Sequence, residues 1–111
     1  MDNLFDIEME SLNETIDKHE VSIVYFWSPG CGVCRYIGPI YENLAKEYPD
    51  IPFGKVNTNE NTDTYSQLGI TAVPTVKFYS NGMTVDRIVG CKDYNTIKQT
   101  YIDKIEELIN G

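Results

Sequence analysis

The chain has 111 residues, 41% of them hydrophobic and 12% aromatic, which is enough apolar material for one small core. Its formal net charge of −8, with the 9 Lys and Arg residues scattered along the chain, argues against nucleic acid as a partner. Its 3 cysteines are too few for a disulfide-stapled scaffold, so we expect a cytoplasmic protein whose thiols stay reduced between turnovers.

The amino-terminal segment resembles neither a secretory signal nor a membrane anchor. It carries acidic residues where a signal peptide carries basic ones, and no stretch of the chain approaches membrane-spanning length. No linker, repeat or low-complexity segment divides the chain. We therefore expect a single domain over residues 1–111, without a membrane partner.

The first predicted element is a helix. The Ser-Leu-Asn-Glu segment at 11–14 has the form of a capping box. Apolar residues at helical spacing support a helix that ends near His19, namely Met9, Leu12 and Ile16. His19 lies among charged residues, so a solvated place at the helix end is favoured over a catalytic role.

The most informative segment comes next, where a buried strand gives way to a helix. Residues 23–27 are apolar, β-branched and aromatic, which predicts an interior strand of a parallel sheet. From Val33 onward, apolar residues recur at helical spacing and predict a helix with one buried stripe. Pro39 falls inside that helix and should kink it. Cys31 and Cys34 therefore belong to its first turn.

The first turn of a helix, where both cysteines are expected, favours thiol chemistry. The unpaired amides and the positive dipole end of a helix amino terminus stabilise a thiolate, so Cys31 is expected to be the more acidic thiol and the nucleophile. Cys34 can then resolve a mixed disulfide formed by Cys31. Their own disulfide closes too small a ring to stabilise the chain. The alternative is half of a zinc site, but the remaining ligand candidates, Cys91 and His19, fit no zinc-finger or zinc-ribbon spacing.

Strands and helices alternate in the second half of the chain. Residues 51–57 predict a strand, and the polar stretch at 58–63 opens a short helix that ends at Gly69. Pro74 stands directly before a strand-like run, where proline can start a strand. The Asn-Gly pair at 81–82 is a strong hairpin signal, so the last two strands should be antiparallel.

A final helix closes the chain. Asp93 can cap it, and Asn110 and Gly111 provide a terminating signal. Its apolar positions recur at helical spacing: Tyr94, Ile97, Tyr101, Ile105 and Leu108.

Taken together, the motifs resemble the thioredoxin family over nearly the whole chain. They match the family in order and spacing: Phe26-Trp27, Cys31-Gly32-Val33-Cys34, Pro39, Lys55, Val73-Pro74-Thr75, Asn81-Gly82 and Gly90. The resemblance implies an α/β thioredoxin fold, a central mixed β-sheet flanked by helices on both faces, with a cis peptide bond before Pro74. It implies a protein-disulfide reductase without metal or bound cofactor, whose redox-active group is the Cys31-Cys34 disulfide.

The resemblance also implies partners and a substrate groove. The partners are protein disulfide substrates and a thioredoxin-reductase-like electron donor, and we expect a monomer. In the family, the residue before the cis-proline pairs its backbone with an extended substrate segment. The expected groove residues are Trp27, Gly30, Gly32, Val33, Val73, Pro74, Gly90 and Cys91. For Cys91, plain packing is favoured over a redox role at the groove rim.

The chain departs from the family pattern at three positions near the cysteines. Val33 replaces a proline, which affects thiol acidity and redox poise, and Gly30 replaces an aromatic residue, which should open the groove. Tyr25 takes the place of a buried aspartate that accepts the resolving thiol's proton, and a phenol with a pKa of about 10 is a poor base at neutral pH. We expect Tyr25 mainly to pack in the core. Lys55, water or substrate would then handle the proton, or resolution is slow.

Two other functions stay open at this point. An oxidase or isomerase of the same fold would differ by a less reducing potential. A non-catalytic module that binds peptides at Val73 and Pro74 is the third hypothesis, and the intact cysteine pair argues against it. The reduction potential and the insulin-reduction activity would separate the three.

Overall fold

The computed structural model describes residues 3–111. Five strands in this part of the chain form one mixed sheet. The strands are β1 (Leu4–Asp6), β2 (Val21–Trp27), β3 (Phe53–Asn57), β4 (Thr75–Ser80) and β5 (Met83–Val89). Their spatial order is β1-β3-β2-β4-β5, with β3 parallel to β1 and β2, and β4 antiparallel to β2 and β5. The predicted mixed sheet is confirmed, with the strand of residues 23–27 at its centre.

Within the described residues, four helices cover both faces of the sheet. They are α1 (Met9–Asp17), α2 (Gly32–Glu47), α3 (Thr64–Leu68) and α4 (Ile97–Asn110). None of these helices is both long enough and apolar enough to cross a membrane.

The core has two parts because β2 is buried on both faces. Successive side chains of a strand point to opposite faces. Ile23 and Tyr25 pack in one cluster with α2 and α4, whereas Val24 and Phe26 pack in the other with α1. This explains why β2 is a continuous apolar run rather than an alternating one.

The start of α1 differs from the prediction. The helix begins at Met9 after the cap residue Glu8, whose side chain makes no capping hydrogen bond, and Ser11 lies inside it. The predicted capping box is therefore wrong. The Met9 amide instead donates to Asn61 Oδ1 at 2.9 Å. The predicted end of the helix near His19 is confirmed.

The start of α4 also differs, since the helix begins at Ile97 rather than next to Asp93. Asp93 forms a turn ahead of the helix: its Oδ1 accepts the Asn95 amide at 2.8 Å, and its carbonyl accepts the Thr96 amide at 3.2 Å. Tyr94 is therefore outside the helical stripe and exposed.

The sequence pattern predicted neither β1 nor the start of β3. β1 is absent from the prediction because a strand of 3 residues shows no periodicity. β3 begins at Phe53 rather than at residue 51, since Pro52 has no amide hydrogen to donate to the ladder.

Both turn predictions are confirmed. Asn81 and Gly82 have φ values of 52° and 83° and join β4 to β5 as an antiparallel hairpin. Two successive residues with positive φ give the mirror-image turn that matches the twist of paired strands. Gly69 caps α3 in the left-handed conformation, where the sequence places the end of that helix.

Candidate active site

Cys31 and Cys34 lie at the start of α2, just beyond the carboxyl end of the central strand. Cys31 is the N-cap residue, and its Sγ accepts the Cys34 amide at 3.1 Å. Both cysteines are free thiols, Cys31 half-buried and Cys34 buried. The Cys31 sulfur therefore meets a first-turn amide, which has no partner within the helix itself.

Cys34 is in a different environment because it points into the core. Burial raises the pKa of its thiol to about 11, and a hydrogen bond with Cys31 adds to the rise. The Ser28 backbone and the Tyr25 side chain act in the opposite direction. Cys34 therefore stays protonated at neutral pH.

The loop before β4 lies against the cysteine turn. The Val73-Pro74 peptide bond is cis, as the family resemblance implies, and Cys31 Sγ lies 3.6 Å from the Val73 carbonyl oxygen. Gly90, at the end of β5, donates its amide to the Pro74 carbonyl at 2.7 Å. Its φ of 70° is a conformation that side-chain-bearing residues rarely adopt. The structure thus brings Cys31, Val73, Pro74 and Gly90 together.

The other residues expected to line the groove are Trp27, Gly30, Gly32, Val33 and Cys91. Gly30 and Gly32 are exposed, and no heavy atom lies within 4 Å of where a Cβ would be. The missing side chain at Gly30 therefore leaves open space, in line with the sequence expectation. Val33 and Cys91 are half-buried and pack against the core between the sheet and helices α2 and α4, and so does Trp27.

Tyr25 is 2% exposed, and its ring centroid lies 5.0 Å from that of Tyr41. Its hydroxyl donates to the Cys34 carbonyl at 3.0 Å. Burial raises the pKa of the phenol well above its usual value, so Tyr25 cannot serve as a base at neutral pH. The structure agrees with the predicted core packing and adds a contact to Cys34 that the sequence pattern could not supply.

Lys55 is the cross-strand neighbour of Tyr25 on β3. Its Nζ lies 3.8 Å from Glu42 Oε2 and 5.8 Å from the centroid of the Trp27 ring. Sequence reasoning missed Glu42. Its helical spacing from Cys34, two steps of four residues along α2, is the signal that would have placed both on one helix face.

A cavity of about 200 Å³ connects these groups to solvent. It is lined by Tyr25, Trp27, Cys31, Cys34, Gly38 and Lys55, among others. Because Cys34 is among the lining residues, the cavity gives its thiol proton a route to solvent.

The zinc hypothesis finds no support in the described part of the chain. No group of three or more His, Cys, Asp or Glu side chains among residues 3–111 is placed to hold a metal ion. His19 is exposed at the end of α1, where its Nδ1 lies 3.2 Å from the Thr15 carbonyl oxygen.

Known proteins share this architecture. The Thioredoxin family model matches residues 3–104. Thioredoxin 1 of Nostoc sp. is 39% identical over 88 residues, covering 78% of this chain and 82% of the relative. The chloroplastic M-type thioredoxin of Pisum sativum is 42% identical over 88 residues, covering 78% of this chain and 49% of the relative. The crystal structure of Chlamydomonas reinhardtii thioredoxin f2 has a TM-score of 0.81 at 27% identity and covers 94% of both chains.

The fold, the cysteine pair and these matches define a class of protein: a thiol-disulfide oxidoreductase in which two side chains, rather than a bound cofactor, carry the electrons. The chain belongs to the thioredoxin family. The predictions of family, fold class and protein-disulfide reductase activity are confirmed.

Proposed function

We propose that this thioredoxin reduces protein disulfides in the cytoplasm, with Cys31 as the attacking thiol and Cys34 as the resolving thiol. The observation that carries the proposal is the asymmetry of the pair. Cys31 Sγ accepts a helix amide at the accessible start of α2, whereas Cys34 is buried beneath it.

The reaction has two exchange steps. The Cys31 thiolate attacks one sulfur of a substrate disulfide, which forms a mixed disulfide and releases the other substrate sulfur as a thiolate. Cys34 then loses its proton and attacks Cys31 Sγ, which releases the second substrate thiolate. The substrate gains two electrons, and the protein ends with a Cys31–Cys34 disulfide that a donor has to reduce.

The substrate groove in this proposal runs past Val73. The Val73 carbonyl lies next to Cys31 Sγ, so an extended substrate segment that pairs with the Val73 backbone would bring its disulfide to the nucleophile. The open space at Gly30 and Gly32 leaves room for that segment.

We propose further that residues 1–111 act as one domain and as a monomer, with a thioredoxin-reductase-like protein as electron donor. Cytoplasmic location rests on the small number of cysteines. The named relatives include a chloroplastic thioredoxin, so the relatives do not by themselves support a cytoplasmic location. The location is therefore proposed separately from the activity.

Replacing Cys34 with Ser tests the division of labour. A Cys34→Ser variant should accumulate a mixed disulfide between Cys31 and an insulin chain, because nothing remains to resolve it, whereas Cys31→Ser should capture no substrate. Mass spectrometry of the captured species identifies the bonded cysteine. Both variants are made in a Cys91→Ala background, so that the remaining thiol cannot contribute.

The opposite pattern would overturn the assignment. If Cys31→Ser captures substrate through Cys34, or retains the full rate of insulin reduction, Cys34 is the attacking thiol.

A further inference from the structure

A phenol hydroxyl lies directly beneath the resolving cysteine. Tyr25 projects from the central strand, its ring packs against Tyr41, and its hydroxyl lies 3.0 Å from the Cys34 carbonyl oxygen. Tyr25 and Cys34 line the same cavity, and the Tyr25 side chain acts to lower the pKa of the Cys34 thiol. Tyr25 is thus fixed at its ring, and its hydroxyl is held next to Cys34 by the hydrogen bond to the Cys34 carbonyl.

The Cys34 carbonyl does not depend on this hydrogen bond. Cys34 lies in the first turn of α2, where the regular ladder gives its carbonyl the amide four residues along the helix, that of Gly38. Pro39 removes the donor for the next carbonyl in the helix, that of Arg35, rather than for Cys34. The Tyr25 hydroxyl can therefore turn away without leaving a buried acceptor unpaired.

The Cys34 sulfur, by contrast, needs a donor when it ionises. A thiolate in a desolvated place is costly unless it is hydrogen-bonded. Two groups act to lower the pKa of the Cys34 thiol, the Ser28 backbone and the Tyr25 side chain. Tyr101 has a buried hydroxyl as well, but no hydrogen bond joins it to Cys34 or to any other described residue.

We propose that Tyr25 is the hydrogen-bond donor for the resolving step: its hydroxyl turns from the Cys34 carbonyl to the Cys34 sulfur and holds the thiolate as it attacks Cys31. This inference rests on the proposed roles of the two cysteines. It gives the residue that replaces the family's aspartate a different task, since a donor stabilises the thiolate and does not remove the proton.

The proposed step exchanges the mixed disulfide for the Cys31–Cys34 disulfide. The Cys34 S–H bond breaks, and the proton passes to water in the 200 Å³ cavity that opens between Tyr25, Cys34 and Lys55. A bond forms between the two cysteine sulfurs, and the bond from Cys31 to the substrate sulfur breaks. The substrate thiolate takes up a proton from solvent. Tyr25 keeps its own proton throughout.

Other titratable groups face this site from the elements packed around it. They are Cys31, Arg35 and Tyr41 at the start and along α2, Lys55 on β3 with its partner Glu42, Tyr101 on α4 and Cys91 in the loop before α4. When Tyr25→Phe is compared with its parent protein, these groups are the same in both, with Cys91 replaced by Ala in each.

Removing the hydroxyl of Tyr25 while keeping its ring tests the proposal. In a Cys91→Ala background, reduced protein is mixed with a chromogenic aromatic disulfide, which releases one coloured thiolate when Cys31 reacts and a second when Cys34 resolves. Stopped-flow absorbance then gives the resolution rate as a function of pH.

Tyr25→Phe should slow the second release about tenfold at neutral pH, the effect of losing one hydrogen bond to a charged group. The midpoint of the pH profile should rise by about one pH unit, because the thiolate loses a donor and the pKa of Cys34 increases. At pH values above the midpoint, the rates of the two proteins should converge. The first release, which reports Cys31, should be unchanged.

Two other buried tyrosines provide matched controls. The Tyr41 hydroxyl donates to the Ile23 and Gly54 carbonyls, and the Tyr101 hydroxyl is unpaired. Tyr41→Phe and Tyr101→Phe should leave the midpoint of the pH profile in place. An unchanged midpoint in Tyr25→Phe, or a rate lowered equally at every pH, would overturn the proposal in favour of a packing role.

A measurement on the unsubstituted side chain covers the case in which Tyr25→Phe does not fold. The NMR resonance of the Tyr25 ring carbon that bears the hydroxyl should shift as Cys34 ionises and should not do so in Cys34→Ser. No response to Cys34 ionisation would also overturn the proposal. If the protein shows no second release at all, or releases the first thiolate through Cys34, the proposed roles of the cysteines fail instead.

Discussion

At the scale of residues, the two thiols differ because one backbone turn separates an accessible sulfur from a buried one. The positions of Cys31 and Cys34 were predictable because they depend on local spacing at a helix start. The contacts of Tyr25 with Cys34, and of Lys55 with Glu42, were not predictable, because each joins a strand to a helix at a register that the sequence does not encode locally. The sequence showed only that the usual aspartate was missing.

Cys91 is the remaining thiol, and the structure places it half-buried at the edge of the core that contains Cys34. Cys91→Ala should preserve catalytic reduction of insulin, because Cys31 and Cys34 already form a complete dithiol. It should abolish any covalent dimer that mild peroxide induces, which non-reducing gels detect. A dimer that persists in Cys91→Ala would place the intermolecular bond at another cysteine, and lost turnover would show that Cys91 takes part in catalysis.

At the scale of elements, the middle of each predicted helix and strand was easier to predict than its ends. The apolar stripes of α1 and α4 depend on periodicity alone, whereas their starts depend on which polar group meets the first amides. At α1 that group is Asn61, which no local pattern connects to residue 9. At α4, Asp93 offers a capping side chain but bonds the Asn95 amide in a separate turn.

Asn61→Ala tests the observed cap of α1. The substitution removes the acceptor for the Met9 amide and the donor to the Asn57 carbonyl, so we expect unfolding free energy to fall by about 1–2 kcal/mol. Ser11→Ala, inside the helix and exposed, should change it by less than about 0.5 kcal/mol. Urea denaturation followed by circular dichroism measures both. A larger loss in Ser11→Ala than in Asn61→Ala would restore the capping box.

At the scale of the whole molecule, topology accounts for the place of the site. The central strand β2 ends next to the start of α2, and the chain returns through an antiparallel β4 whose first residues follow the cis-proline. This topology brings together Val73 and Cys31, which are 42 residues apart in the sequence. Local patterns predicted both β2 and β4, but only the family resemblance predicted that Val73 and Cys31 would meet.

The central claim is that a single dithiol of unequal cysteines performs the reduction of protein disulfides. Its most direct test is the steady-state rate at which the protein catalyses insulin reduction by dithiothreitol, compared among the unmodified chain, Cys31→Ser, Cys34→Ser and Cys91→Ala. We expect turnover in the unmodified chain and Cys91→Ala, and none above the uncatalysed rate in Cys31→Ser and Cys34→Ser. Full turnover in Cys31→Ser, or none in the unmodified chain, would contradict the claim.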